Sequence, residues 1–302
     1  MDNFLKEVAK KSIGKIEKNV SLKKYTTYKT GGKAKCVIYP KNYSTLARLI
    51  RLIRKYNLEY KIIGNGSNLL FSDKEYNGVL IKLSEFDKLE IIGNKITVGA
   101  GFNLIRLSNI AMKHSLTGLE FAAGIPGTVG GAIFMNAGAY KSDMGYITTE
   151  VKVLTDNLEI ITLSNSELDF HYRTSFLQKH PEYICLEATI KLSHGKKEAI
   201  EEVMKERRKR RVLTQPLEYP SAGSVFRNPS VDTPSGKLIE DLGLKGLKKG
   251  GAEVSVKHAN FIINKKDATS ADIHDLILYV QKCVKDNYGI DLKVEQEFVN
   301  WE

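Results

Sequence analysis

Gly124-Ile125-Pro126-Gly127-Thr128-Val129-Gly130-Gly131-Ala132, followed shortly by Asn136-Ala137-Gly138-Ala139-Tyr140, is the stretch on which the reading of this chain turns. Five glycines fall between positions 124 and 138. Each costs chain entropy unless the backbone needs an unusual dihedral or a close contact. A turn uses one or two, so so many point to a ligand lying against the main chain. Upstream, Ile62-Ile63-Gly64-Asn65-Gly66-Ser67-Asn68-Leu69-Leu70 places two glycines directly after a strand pattern. Such a loop lets backbone N–H groups approach a phosphate, although a tight turn would look the same. It has the outline of a dinucleotide fingerprint. The third glycine is missing, however, and Leu69-Leu70-Phe71-Ser72-Asp73 does not open a helix, which argues against a Rossmann site. Two separated glycine loops of phosphate type suggest one long ligand, such as FAD, bridging two lobes.

Around these loops the chain reads as α+β. Its 302 residues exceed one ordinary core and imply two or three domains. Residues 43–57 have helical spacing, with Leu46, Leu49, Ile50 and Ile53 on one face and Ser44 as a candidate cap. Strand patterns flank them at Cys36–Tyr39, Lys61–Ile63 and Val79–Leu83. Further strands are expected at Ile96–Val98, 150–155 and 184–192, the last alternating through Leu186, Ala188, Ile190 and Leu192 as if half-buried. A helix carrying Leu104, Leu107 and Ala111 follows the first of these. A helix over 196–211 carries Ile200, Val203 and Met204, and Leu213–Pro220, with two prolines, reads as a linker. A last unit has strands at 252–256 and 260–264 and a helix over 270–286 with the stripe Ile273, Leu276, Ile277, Val280 and Val284.

Composition narrows the function classes. Hydrophobic residues make up 42% and charged residues 27%, a globular balance. No apolar run of membrane-spanning length and no secretory signal pattern is present, so a cytoplasmic protein with no membrane partner is expected. Cys36, Cys185 and Cys283 are widely spaced, which supports neither a disulfide framework nor a metal site and fits a reducing compartment. The net charge of +11 is compatible with nucleic acid or phosphorylated small ligands. The one dense run, Arg207-Arg208-Lys209-Arg210-Arg211, closes a helix pattern where cations favour the dipole, and no recognition motif accompanies it, so nucleic acid is not expected.

Three more motifs could carry chemistry. Tyr172-Arg173-Thr174-Ser175-Phe176 sets an arginine beside a tyrosine, a pairing also common at surfaces. In Tyr219-Pro220-Ser221-Ala222-Gly223-Ser224-Val225-Phe226-Arg227-Asn228-Pro229, small residues leave the Ser224 hydroxyl approachable. It is not a nucleophile elbow, because position 222 is alanine. Alternation in Val294-Glu295-Gln296-Glu297-Phe298-Val299 would send Glu295 and Glu297 to one face of a strand.

Taken in order, these motifs, with Tyr28-Lys29-Thr30-Gly31-Gly32 before them and Gly251-Ala252-Glu253-Val254-Ser255-Val256-Lys257-His258-Ala259-Asn260 among them, resemble the UDP-N-acetylenolpyruvoylglucosamine reductase (MurB) family. The resemblance runs from about Val20 to Phe298. It implies a two-lobed FAD-binding region of the vanillyl-alcohol-oxidase (PCMH) type, with lobes at 1–83 and 84–212, and an α+β substrate-binding domain at 213–302 whose C-terminal tail is free to return to the first lobe. It implies an NADPH-consuming UDP-N-acetylmuramate dehydrogenase of peptidoglycan synthesis, with non-covalent FAD, a UDP-sugar substrate and a monomeric state. Another FAD-dependent oxidoreductase of the same superfamily is the alternative. By the same resemblance Arg173, Ser224 and Glu297 are catalytic, with Ser224 the proton donor. Gly64, Asn65, Gly66, Ser67, Asn68 and Leu69 would hold the cofactor, together with Gly124, Ile125, Pro126, Gly127, Gly130, Gly131, Asn136, Gly138 and Ala139. Tyr172, Asn228 and His258 would face the substrate. The chain departs from the family where Thr214 replaces a common lysine before Gln215-Pro216, so one charge contact to substrate is not carried over. The short link from Phe176 to Cys185 places it in the subclass lacking a tyrosine-bearing insertion.

Overall fold

A computed structural model describes residues 1–301, which form two compact units. The first comprises Met1–Lys18, Cys36–Gly64 and Gly78–Lys209; the second comprises Asn19–Lys35, Asn65–Asn77 and the chain from Arg210 onward. Most of the residues expected to form two FAD-binding lobes thus share the first unit. The short segments 19–35 and 65–77 go instead with the C-terminal part.

The first unit is built on two sheets. One has strand order Gly14–Ser21, Lys33–Pro40, Tyr76–Lys82, Tyr60–Ile63, the last two being parallel. The helix Tyr43–Lys55 buries Leu46, Leu49, Ile50 and Ile53, each stabilising by roughly 1.5–3 kcal/mol. Its cap is Asn42, not Ser44: the Asn42 side chain accepts from Thr45 N and the Thr45 hydroxyl accepts from Asn42 N, a reciprocal capping box. The other sheet is antiparallel, with order Ile160–Ser164, Thr148–Leu154, Ile184–Lys191, Lys95–Gly99, Leu89–Ile92. Ile184–Lys191 is its central strand. It is covered on both faces apart from Glu187 and Lys191, so the half-buried expectation fails because neighbours pack on either side. Its sulfur, Cys185, lies in the core with Cys36, and burial pushes their thiols up to about 12 and about 11. The helix Lys197–Thr214 runs three residues past the basic run, buries Ile200 and Met204, and leaves Val203 exposed. Arg207 there lies over the Tyr140 ring, 5 Å or less from its centroid at 4.7 Å.

The second unit has its own core. A sheet of Lys248–Lys249, Ala252–Val254 and Ile262–Asn264 packs against the helix Ser270–Tyr288, whose buried stripe is the one read from the spacing. That helix starts at the Thr269/Asp272 capping box and ends at Gly289, which adopts the left-handed conformation. The strand Glu297–Val299 runs parallel to Leu69–Phe71, with Glu297 opposite Leu69. The strand is shorter than expected. Glu295 precedes it, because Val294 instead bridges Phe226 and Glu295 N donates to Val225 O. No helix among the described residues is long and apolar enough to cross a membrane.

Candidate active site

In the first unit, the glycine-rich stretch 124–131 lies along residues 100–104. Gly130 N donates to Ala100 O at 2.8 Å, Val129 N to Phe102 O, and Gly127 O accepts from Leu104 N. A Cβ at Gly130 would stand 2.9 Å from that of Ala100, so this glycine is required by the protein's own packing. The amides of Ile125 and Gly127 are likewise bonded internally, and Gly131 N reaches Thr128 Oγ1. Glycine at 130 thus has a reason in the protein's own packing, whatever lies against the loop's outer face. The N–H groups at these positions hold the loop, and the carbonyls of Ile125, Gly127, Thr128 and Gly131 also accept from the protein's own backbone.

The upstream loop is different. Gly66 has φ +64°, and a Cβ there would fall 1.9 Å from Tyr25 O, so only glycine fits. Its carbonyl accepts from Thr27 N and Oγ1. The Gly64 carbonyl accepts from Lys82 Nζ at 2.5 Å. In a trans peptide the following N–H points opposite to the carbonyl, so the amides of Asn65 and Ser67 are turned away from these partners. Lys82 is half-buried, and burial pushes its ammonium below the usual lysine range. Backbone amides presented by such a loop are a group that can bind a phosphate, whereas the Lys82 ammonium lies on the carbonyl side of Gly64 and holds the loop there. Lys82 was not singled out in the sequence, since a lysine closing a strand reads as solvated. A buried cation within reach of the loop is visible only in three dimensions.

Arg173 occupies a tight turn closed by reciprocal His171 and Thr174 backbone hydrogen bonds of 3.0 and 3.1 Å. Its φ is +55°, a left-handed conformation that non-glycine residues hold only when their surroundings impose it. The restraints are explicit. The guanidinium donates to Gly138 O at 2.8 Å and lies over the Tyr172 ring, and Gln178 Nε2 donates to Arg173 O. Asn136 is buried, with Nδ2 on His171 O and Oδ1 on Gly145 N. Its side chain thus braces the Arg173 turn. Tyr172 is 52% exposed.

The second unit brings Ser224 and Glu297 into one assembly. Val225 N donates to Asn260 O, Phe226 N to Asn260 Oδ1, and Asn260 Nδ2 to Phe226 O. Gln296, buried between Glu295 and Glu297, directs its side-chain nitrogen at the carbonyls of Ala222, Gly223 and Ser224. Glu297 N donates to Asn68 O and Asn68 Nδ2 donates to Glu295 O, which fixes the segment from both sides. Asn228 Oδ1 accepts from Ser235 N, at the start of the helix Ser235–Asp241. His258 packs its ring on Phe261 and keeps a buried Nδ1 without a hydrogen-bond partner. Burial, then Lys245, pushes its pKa down, which favours the neutral imidazole.

Two family models match the chain. An FAD-binding domain covers residues 34–164, and the C-terminal domain of UDP-N-acetylenolpyruvoylglucosamine reductase covers residues 215–299. With the fold, they define an FAD-binding flavoprotein of PCMH type carrying a separate C-terminal domain. A variant of Phl p 4, a glucose oxidase, shares the fold over 65% of this chain and 44% of its own, at TM-score 0.51 and 15% identity. Full-length relatives are more specific. UDP-N-acetylenolpyruvoylglucosamine reductase from Caldanaerobacter subterraneus is 47% identical, covering 98% of this chain and 96% of its own. The enzyme of that name from Anoxybacillus flavithermus is 44% identical over 99% of both chains. The crystal structure of the Thermus caldophilus enzyme (MurB) matches at TM-score 0.81 and 35% identity, over 94% of this chain and 99% of its own. The chain belongs to the UDP-N-acetylenolpyruvoylglucosamine reductase family.

Proposed function

We propose that this chain reduces UDP-N-acetyl-3-O-(1-carboxyvinyl)-glucosamine to UDP-N-acetylmuramate, with NADPH as the reductant. The observation that carries the reading is the family match along the whole chain, and Arg173, Ser224 and Glu297 stand in motifs that resemble the family's. FAD, when bound, would supply the hydride chemistry, with NADPH as the source and C3 of the enolpyruvyl group as the acceptor. Gly64–Leu69 and the surface of 124–139 would hold the cofactor. The chain's own residues then manage charge and protons. Hydride addition leaves negative charge at C2, delocalised into the carboxylate. Arg173 holds that charge with a guanidinium already oriented by Gly138 and Tyr172, so little reorganisation accompanies the reaction. Glu297 acts on the same enolate, protonated or through a hydrogen bond. Ser224 gives C2 its proton. A hydroxyl is a weak acid, so this depends on its placement beside a strongly basic carbon.

Residues 213–302 are the substrate-binding part in this reading, with Tyr172, Asn228 and His258 as contacts. Asn228 would contribute through its amide nitrogen, since its oxygen is engaged by Ser235. A cytoplasmic monomer is the matching cellular form, in keeping with buried free thiols at Cys36 and Cys185. An anaerobic titration tests the reading. NADPH should bleach the flavin and the enolpyruvyl substrate should restore its colour. Ser224→Ala should leave bleaching intact and slow recolouring by on the order of 10²–10⁴. Recolouring by oxygen but not by substrate would favour another oxidoreductase of the superfamily. Equal slowing of both half-reactions would make Ser224 structural.

A further inference from the structure

Gln296 stands between two acidic residues but points the other way, into the core, and is 4% exposed. The Tyr28 hydroxyl donates to its Oε1 at 2.9 Å. On the other side its Nε2 faces three successive carbonyls, of Ala222, Gly223 and Ser224, at 3.2, 3.4 and 3.5 Å. Three acceptors converging on one amide nitrogen fix which end of the side chain faces them, so Oε1 must face Tyr28. Tyr28 is itself fully buried, which pushes its phenol well above the usual range and keeps it a donor. The Ser224 turn thus depends on a side chain of the Glu297 segment for its carbonyls. Gly223 in that turn has φ +76°, and a Cβ there would meet nothing within 4 Å, so the turn is not held by packing at its apex.

We infer that Gln296 is a positioning residue, oriented by Tyr28, that sets the Ser224 turn and the Glu297 strand in register with each other. The inference rests on the roles proposed above for Ser224 and Glu297. Both groups act on one substrate carbon in that reading, so their mutual placement matters to the recolouring step and not to bleaching by NADPH. A displacement near 1 Å at a reacting group costs on the order of 10²-fold in rate.

The test uses the FAD-loaded enzyme, NADPH and the enolpyruvyl substrate in anaerobic stopped flow, with Gln296→Met, Gln296→Glu and Tyr28→Phe. Gln296→Met keeps the shape and loses the hydrogen bonds. Bleaching by NADPH should stay within about twofold of the parent and recolouring should slow about 10²-fold. Gln296→Glu adds a signature that structural damage does not produce. Protonated, its carboxyl can accept from Tyr28 and donate to the turn; ionised, it sets a carboxylate against three carbonyls. Its recolouring rate should therefore rise as pH falls, relative to the parent at each pH. Tyr28→Phe should slow recolouring several-fold, and it serves if Gln296→Met does not fold. Parent-like recolouring in Tyr28→Phe or in folded Gln296→Met overturns the inference. So does a Gln296→Glu profile that parallels the parent, or equal loss in both half-reactions. Ser224→Ala, run alongside, separates the premises: parent-like recolouring there removes the proposed role of Ser224 itself.

Discussion

Lys82 and Gly64 show how a residue acquires meaning from one contact. The ammonium is partly drawn out of water and donates to the Gly64 carbonyl, and burial pushes its pKa below the usual lysine range. Lys82→Met should weaken FAD binding about 10–100-fold, the loss of one charge-assisted hydrogen bond of about 1.5–3 kcal/mol. Titration of apoprotein with FAD by flavin fluorescence reads this directly, and an unchanged affinity would make Lys82 a brace for Gly64 alone. Arg173 teaches the complementary lesson. The Tyr-Arg pair is visible in the sequence, but its left-handed backbone and the Asn136, Gly138 and Gln178 contacts that impose it are not. Side-chain identity could be read along the chain; the conformation in which the side chain is presented could not.

The helices were the most legible elements, because a period of 3.6 leaves a mark in any window long enough to bury a face. The stripe from Ile273 to Val284 and the one from Leu46 to Ile53 are both buried as spaced. Short strands left weaker marks, and Glu297–Val299 ends where it does because Val294 pairs elsewhere. Helix ends depend on distant chain too. At the start of Ser270–Tyr288, Asp73 accepts from Ser270 N at 3.0 Å and Ala271 N at 2.9 Å, across about two hundred residues of sequence. Two otherwise unsatisfied amides at the positive end of the dipole meet a carboxylate there. Asp73→Ala should destabilise the protein by about 1–2 kcal/mol and Asp73→Asn by less, measured by denaturant unfolding. An unchanged midpoint for Asp73→Ala would mean that the Thr269 capping box suffices alone.

For the whole molecule, a cofactor that binds only the folded chain couples stability to occupancy. Removing FAD should lower the melting temperature, and adding it back at about 100 times Kd should restore roughly 2.7 kcal/mol. Denaturation should release the flavin into the supernatant, as non-covalent binding requires; flavin that stays on the unfolded chain would contradict it. The unit boundaries are a whole-molecule fact of another kind. Segments 19–35 and 65–77 leave the linear order and join the C-terminal part, where Tyr28 meets Gln296 and Asn68 meets Glu295. By itself the sequence determined the α+β class, the main helices and the family, and it singled out Arg173, Ser224 and Glu297 as candidates. These rest on periodicity, on residue type and on the order of motifs, all of which are local or linear. Tertiary structure alone decided that the glycines at 66 and 130 are demanded by neighbouring protein atoms, that Lys82 serves the loop, and that Gln296 rather than either flanking glutamate grips the Ser224 turn. Those outcomes depend on which distant groups share a few cubic ångströms of dry interior, and linear spacing does not record that.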